Sequence, residues 1–333
     1  TFGAGFLMRP IGALIFGRLG DRVGRKRTFL VTIVMMGLST ALVGALPTFA
    51  AIGWWAPVLL VALRMLQGLA LGGEFGGAAL YISEHCPEDS RGKYTAWIQT
   101  AGTMGLILSL IVVIICRGAM GEDDFRDWGW RVPFLASVVL LGLSVYVRAR
   151  LRESPLFEEI RARGELSESP IVESFFRRDN ARRFAAALIG GAPFALTWYT
   201  AQFYSLVFLQ GPLQLDVATA SLIIIIALAC GIPLFLAAGA LSDRVGRKPV
   251  ILTGMLVSAL LYIPGFGALV KVGNPAAAQA TESAPITVYA APARFEPFAE
   301  SAHLDDGTRV RDLLAKRGFS YSNAASLDAA TPV

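Results

Sequence analysis

Two stretches of 23 residues, 28–50 and 94–116, contain no Asp, Glu, Lys or Arg. A bilayer-spanning helix needs about 20 predominantly apolar residues, so each run is long enough to cross. Reading the chain for such runs gives eight candidate spans: 1–16 (incomplete), 28–50, 55–83, 94–116, 132–147, 184–208, 217–240 and 249–270. Backbone N–H and C=O groups in hydrocarbon must pair within the segment, and the apolar–polar alternation of a barrel is missing. The expected fold class is therefore an all-α membrane protein. The composition agrees: 54% of residues are hydrophobic and only 17% charged, against about 45–50% and 25% in a soluble domain.

The formal charge of +5 raises the question of a nucleic-acid partner. Its placement argues against one. Lys and Arg gather in alternate loops: 17–27, 84–93, 148–183 and 241–248 carry a net charge of +7, and the loops between them carry −3. The short loops 48–54 and 209–216 have no basic residue at all. Excess Lys and Arg marks the cytoplasmic side of a multi-pass protein, so this charge reports orientation. Its expected partner is the lipid bilayer, with no nucleic acid.

Other classes find little support. Cys86, Cys116 and Cys230 are scattered and form neither a disulfide framework nor a metal spacing. His85 and His303 are far apart, and no nucleotide-binding G-x-x-x-x-G-K-[ST] loop occurs. An enzyme, an ATP-driven pump and a bound cofactor are not expected. The loop 149–183 mixes charges with apolar positions at helical spacing, divided by Pro155 and Pro170, and reads as short surface helices. Residues 271–333 turn rich in Ala, Pro, Thr and Ser. There ITVYA suits a short strand and VRDLLAKRG a short helix, so the segment reads as a disordered tail or as a small folded loop domain.

An internal repeat narrows the reading further. GRLGDRVGRKRTF, from Gly17 to Phe29, returns as GALSDRVGRKPVI, from Gly239 to Ile251, with DRVGRK identical in both. Each copy lies in a tight basic loop between two spans. Gly24 and Gly246 permit the sharp reversal. Asp21 and Asp243 stand where a carboxylate caps a helix N-terminus. Arg22, Arg25 and Lys26, with Arg244, Arg247 and Lys248 in the second copy, face the cytosol and lipid phosphate. This resembles the signature loop of the major facilitator superfamily. Those secondary transporters have twelve helices in two six-helix halves, with substrate near the midplane and alternating access. FLMRPIGALIFGRLGDRVGRK, RMLQGLALGGEFGGAALYISE, PEDSRGK, WGWRVPF and LRESPLF are together similar to the metabolite:proton symporters. That subgroup includes carriers of proline and betaine, α-ketoglutarate, shikimate and citrate.

The resemblance implies a division of the chain. Residues 1–148 form an N-terminal half bundle with helices two to six, and 149–183 a cytoplasmic central loop. Residues 184–270 form part of a C-terminal half bundle with helices seven to nine, and 271–333 a periplasmic segment. Helix one and helices ten to twelve have no counterpart, so eight of twelve helices are expected and the chain reads as a fragment. The implied function is proton-coupled symport of a small organic acid or zwitterion by a monomer in the bacterial inner membrane. The alternatives are a sugar or drug carrier of the same superfamily and a truncated membrane protein that transports nothing.

Three ionisable residues fall inside the spans: Arg9, Arg64 and Glu74. Such groups are costly at bilayer depth and are functional candidates for that reason. Arg9 stands 12 residues before Asp21, roughly 18 Å along a helix. Glu74 stands 10 residues before Glu84, roughly 15 Å along its own. Opposite charges at matching depth suggest an ion pair or a relay. Either Glu74 takes up the coupling proton while Arg9 binds a substrate carboxylate or tunes Glu74, or the two form a structural pair. Arg64 snorkels outward or, as the resemblance implies, takes part in proton transfer. Gly68, Gly72 and Gly76 recur every four residues as a contact face. Gln67, Glu74 and Tyr81 recur every seven as a stripe facing a cavity. Gln99 with Thr103, and Trp198 with Tyr199 and Gln202, are further pathway candidates. The two aromatic residues suit a quaternary ammonium cage or plain packing. Glu84 and Arg91 with Asp21, Arg22 and Arg25 are expected to build an ion-pair latch at the inner end, and Gly17 and Gly239 open the two gating loop motifs. Trp128, Trp130 and Arg131 read as interfacial anchors.

Overall fold

A computed structural model of the chain describes residues 2–164, 178–275, 279, 283, 285–290, 306–316 and 321–324. Among the described residues are eight long helices: α1 (Phe2–Val23), α2 (Arg25–Ala45), α3 (Trp55–His85), α4 (Arg91–Met120), α5 (Arg131–Ala149), α6 (Arg178–Tyr199), α7 (Val217–Val245) and α8 (Arg247–Gly273). Among the described residues seven helices are long and apolar enough to cross a membrane, α6 being counted with its continuation to Gln210. The eighth long helix, α1, is less apolar, with Arg9 at mid-length and Arg18, Asp21 and Arg22 in its last turns. Large apolar side chains point outward along the spans, as lipid contact requires: Val139, Ile189 and Ile263 are 75%, 73% and 84% exposed.

The helices outrun the charge-free runs because a charged residue does not end a helix. α4 starts at Arg91, three residues before its apolar run, and ends at Met120. α2 stops early instead, at Ala45, because Leu46 precedes Pro47 and is extended (φ −61°, ψ 133°). Its last carbonyls are met by Arg131, whose Nη1 donates to Gly44 O at 2.9 Å and to Leu46 O at 2.5 Å. The same guanidinium lies 4.7 Å from the Trp130 ring centroid. Arg131 therefore ties the start of α5 to the end of α2, a more specific role than interfacial anchoring. Arg131→Gln should lower thermal stability by about 1–3 kcal/mol, the cost of leaving buried carbonyls unmet. A melting curve in detergent indistinguishable from wild type would rule this out.

The chain falls into two compact units, Thr1–Gly191 with Leu228–Val250, and Ala192–Ala227 with Ile251–Val333. In the first, α1 packs chiefly on α3, and α2 on α5 and α3. The α1–α3 contact is backbone on backbone. A Cβ on Gly12 would lie 1.9 Å from Leu69 O, one on Gly68 1.9 Å from Gly5 O, and one on Gly72 2.1 Å from Arg9 O. Gly76 meets nothing within 4 Å, so the contact uses only the first two members of the four-residue repeat.

In the second unit, α6 continues through a π-helical turn (Thr200–Tyr204) into Ser205–Gln210. Asp216 caps α7, its Oδ2 accepting from Thr219 N at 2.8 Å. Hydrogen bonds from the Thr219 side chain and then its backbone hold this carboxyl below its ordinary range. Beyond α8, strand β1 (Ile286–Tyr289) pairs in parallel with β2 (Tyr321–Ala324), Ile286 opposite Tyr321. Helix Asp306–Lys316 lies between them in sequence. Arg311 joins the helix to the C-terminal ends of both strands, with Nε donating to Asn323 Oδ1 at 2.9 Å and Nη2 to Ala290 O at 3.3 Å. The strand and helix expected from ITVYA and VRDLLAKRG are both present, and β2 is an addition. Of the loop 149–183, residues 165–177, including Pro170, lie outside the described residues.

Candidate functional site: a carboxylate-capped basic end and an intramembrane ion pair

Both DRVGRK loops reduce to one residue. Gly24 alone separates α1 from α2, and Gly246 alone separates α7 from α8. Their φ values, +108° and +92°, lie where only glycine is unstrained. At Gly24 a side chain would also strike the Glu153 carboxylate, which lies 2.3 Å from where a Cβ would stand.

The helix that starts after Gly24 is capped from far along the chain. Glu153 Oε1 accepts from Arg25 N at 2.8 Å, and both Glu153 oxygens accept from Lys26 N at 3.3 Å. Phe157, 6% exposed, packs against Gly24, and Ser154 caps its short helix by accepting from Phe157 N at 3.3 Å. The segment L-R-E-S-P-L-F thus docks onto the first loop. The side chain of Asp21 serves otherwise: its Oδ1 pairs with Arg25 Nη1 at 2.8 Å, and Arg25 Nη2 reaches Glu84 at 3.6 Å. Gly17 lines a cavity of about 210 Å³ shared with Asp21 and Arg25. Arg91 pairs with Glu88 at 3.3 Å, and Arg22 is exposed.

The second copy is built differently. Asp243 caps a helix from another part of the chain, not the one its own loop begins. Its Oδ1 accepts from Gly92 N at 2.6 Å and its Oδ2 from Lys93 N at 2.8 Å, at the start of α4. Arg247 stands 3.9 Å away. The fit depends on two glycines: a Cβ on Gly239 would lie 2.6 Å from Ala96 Cβ, and one on Gly92 2.4 Å from Ser242 Oγ. Arg244, Gly246 and Lys248 are exposed. Two helix N-termini, of α2 and α4, thus each receive a carboxylate about 130 or 150 residues distant in sequence, where the helix dipole favours negative charge.

Above the loops, the stripe Gln67–Glu74–Tyr81 faces α2 and the end of α5. Glu74 pairs with Arg148 in the last turn of α5, with side-chain exposures of 15% and 24%. The Arg148 guanidinium lies 5.4 Å from the Phe29 ring, Phe29 meets Tyr81 edge-on at 5.7 Å, and the Tyr81 hydroxyl donates to Arg152 O at 3.1 Å. Higher on α3, Arg64 Nη1 donates to Gln67 Oε1 at 3.1 Å, and Gln67 Nε2 donates to Thr40 Oγ1 at 3.0 Å. Arg9 stacks on Phe6 at 3.7 Å. Arg9, Arg64, Gln67 and Thr40 line one cavity of about 240 Å³.

Gln99 is half-buried on α4, beside buried Thr100 and Thr103. In the second unit Trp198, Tyr199 and Phe203 contact one another, with centroids 4.9, 5.7 and 5.5 Å apart, next to buried Gln202. The rings fill the space a cage would leave open. Sequence reasoning left Glu153, Arg148 and Thr40 outside the candidate set. Glu153 stands in the L-R-E-S-P-L-F run, and Arg148 falls one residue beyond the apolar span. Among the described residues no group of three His, Cys, Asp or Glu is placed to hold a metal.

A multi-helix membrane bundle with twin single-glycine basic loops defines a class of secondary transporters, and comparison with known proteins agrees. The family model of the Major Facilitator Superfamily matches residues 1–280. The chain belongs to this superfamily. It is 39% identical over 278 residues to the shikimate transporter of Escherichia coli, covering 81% of this chain and 61% of that protein. It is 36% identical over 278 residues to the alpha-ketoglutarate permease of Escherichia coli, covering 84% and 63%. The proline/betaine transporter of Salmonella typhimurium is 34% identical over 277 residues, covering 80% and 55%. The chain thus spans about 55–63% of these relatives' length. Among solved structures, the xylose transporter XylE of E. coli in a partially occluded inward-open conformation matches with a TM-score of 0.54 and 20% identity, covering 74% of this chain and 62% of that one. That likeness concerns the fold.

Proposed function

We propose that the whole protein is a proton-coupled symporter of a small organic acid or zwitterion, acting as a monomer in the bacterial inner membrane. The observation that carries the coupling is the Glu74–Arg148 pair between α3 and α5. Protonating Glu74 removes one charge, leaves Arg148 uncompensated, and so changes the energy of whatever arrangement holds the pair together. A group of this kind biases a two-state element by a protonation event. The names of the relatives, carriers of shikimate, proline or betaine and alpha-ketoglutarate, support the substrate class. The carboxylate caps at the basic end supply a closure whose breaking opens the cytoplasmic side in alternating access.

Glu74→Gln in the full-length protein tests the coupling. In proteoliposomes it should abolish accumulation driven by an inside-alkaline pH gradient, while exchange of labelled substrate at equal pH persists. Normal gradient-driven accumulation with the wild-type pH dependence would end the proton role of Glu74. A sugar carrier is the competing reading; xylose uptake with no uptake of carboxylates or betaines would favour it.

A further inference from the structure

We propose that the cavity bounded by Arg9, Arg64, Gln67 and Thr40 is a carboxylate-binding site that selects an organic anion over a zwitterion. The inference deepens the symport reading and rests on it for the origin of the ligand. The hydrogen bonds of the lining run in one direction. Arg64 donates to Gln67 Oε1, Gln67 Nε2 donates to Thr40 Oγ1, and Thr40 Oγ1 donates to Met36 O at 2.7 Å. The relay takes one lone pair each on Gln67 Oε1 and Thr40 Oγ1 and runs away from the guanidinium. A guanidinium carries five N–H donors and no acceptor, and the relay engages one of those of Arg64. The lining therefore offers two guanidinium groups and no carboxylate.

A lining with two guanidinium cations and no acidic side chain complements a group that only accepts and carries negative charge, which is a carboxylate. The apolar wall at Leu71 and Phe134 suits the body of a small organic acid. A zwitterion fits poorly. Its ammonium would meet two guanidinium groups and no acidic side chain, and the Phe6 ring is already faced by Arg9. The aromatic cluster at Trp198 offers no alternative cage, because its rings are packed on one another. Apart from Arg64 and Arg9 the site needs no titrating group, so its preference follows ligand charge.

Equilibrium binding to the purified full-length protein in nanodiscs tests this, with labelled shikimate and α-ketoglutarate as probes and shikimate methyl ester and glycine betaine as competitors. The ester keeps the shape and removes the charge. It should bind at least about 30-fold more weakly than shikimate, and betaine at least about 10-fold more weakly, differences of roughly 2 and 1.4 kcal/mol. Arg9→Gln and Arg64→Gln should each weaken anion binding about 10-fold or more and leave the ester unaffected. Equal affinity for ester and acid, tighter binding of betaine, or absence of binding by both anions would overturn the site. So would folded arginine variants with wild-type affinity. The acid–ester comparison is made on the wild type and does not depend on any variant folding. Gradient-driven uptake measured in parallel separates the two ideas. Accumulation without the charge pattern would refute the pocket and keep symport, whereas the charge pattern without accumulation would do the reverse.

Discussion

Asp243→Asn in the full-length transporter should reduce uptake about 10-fold or more at unchanged membrane abundance. The Asp243 side chain is 9% exposed and accepts from two consecutive backbone N–H groups at 2.6 and 2.8 Å. Asparagine keeps one acceptor and turns an NH2 group toward the other N–H, so one charge-assisted bond is lost and one donor is opposed. A hydrogen bond to a charged group contributes about 1.5–3 kcal/mol, and a carboxylate at a helix N-terminus about 0.3–1 kcal/mol more. Two conformations of a carrier differ by a few kcal/mol at most, so losing about 2 kcal/mol from one shifts their ratio roughly 30-fold. The shift is visible directly: Ala96→Cys in the Asp243→Asn background should react faster with a membrane-impermeant maleimide from the basic side. Asp243→Glu should not rescue, because Gly92 and Gly239 leave no room for a further methylene. Wild-type uptake by Asp243→Asn would mean that the cap holds the fold and does not gate.

The second large effect concerns α1 and α3. Gly12→Val should prevent stable accumulation in the membrane, and Gly68→Ala should lower thermal stability by about 3 kcal/mol or more, the scale of an overpacked core contact. A Cβ at either position would stand 1.9 Å from a carbonyl oxygen of the facing helix, where neither backbone can yield without the helices moving apart. Close approach of small residues is a principal source of helix association in lipid, through van der Waals packing and Cα–H···O contacts. Gly76→Ala is the internal control. Nothing lies within 4 Å of its Cβ position, so it should fall within about 0.5 kcal/mol of wild type. Equal damage at Gly68 and Gly76 would show that helix flexibility, not contact, governs the site.

Much of the architecture was legible because it depends on one-dimensional properties. Charge-free length places the helices, loop charge orders them, and a six-residue identity exposes the repeat. The side-chain partners were legible only in part. Periodicity put Gln67, Glu74 and Tyr81 on one stripe, but the stripe's neighbours are set by packing of α2 and α5, which no local pattern reports. Arg148 lies next to the apolar run of its span, and its stem reaches Glu74 from the helix end. The capping of α4 by Asp243 joins residues about 150 apart. Sequence chemistry says that an aspartate can cap a helix, and tertiary structure decides which one. The π-turn at Thr200–Tyr204 left no signal, since one extra residue in a helical turn does not alter composition.

The two one-residue joints have a mechanical consequence. A joint of one residue has only two soft torsions, and at Gly24 these are already fixed by a docked carboxylate and a phenyl ring. Such an elbow has no slack, so α1 cannot turn about its own axis without carrying α2 with it. At Gly246, among the described residues, only Pro249 Cδ comes within 4 Å of a Cβ position, so that joint is one residue long without a docked side chain. The α1–α2 pair is then a single lever with its fulcrum at the basic end of the bundle. The identical six residues thus make the same one-glycine joint twice, and only the first is locked by side chains from elsewhere in the chain.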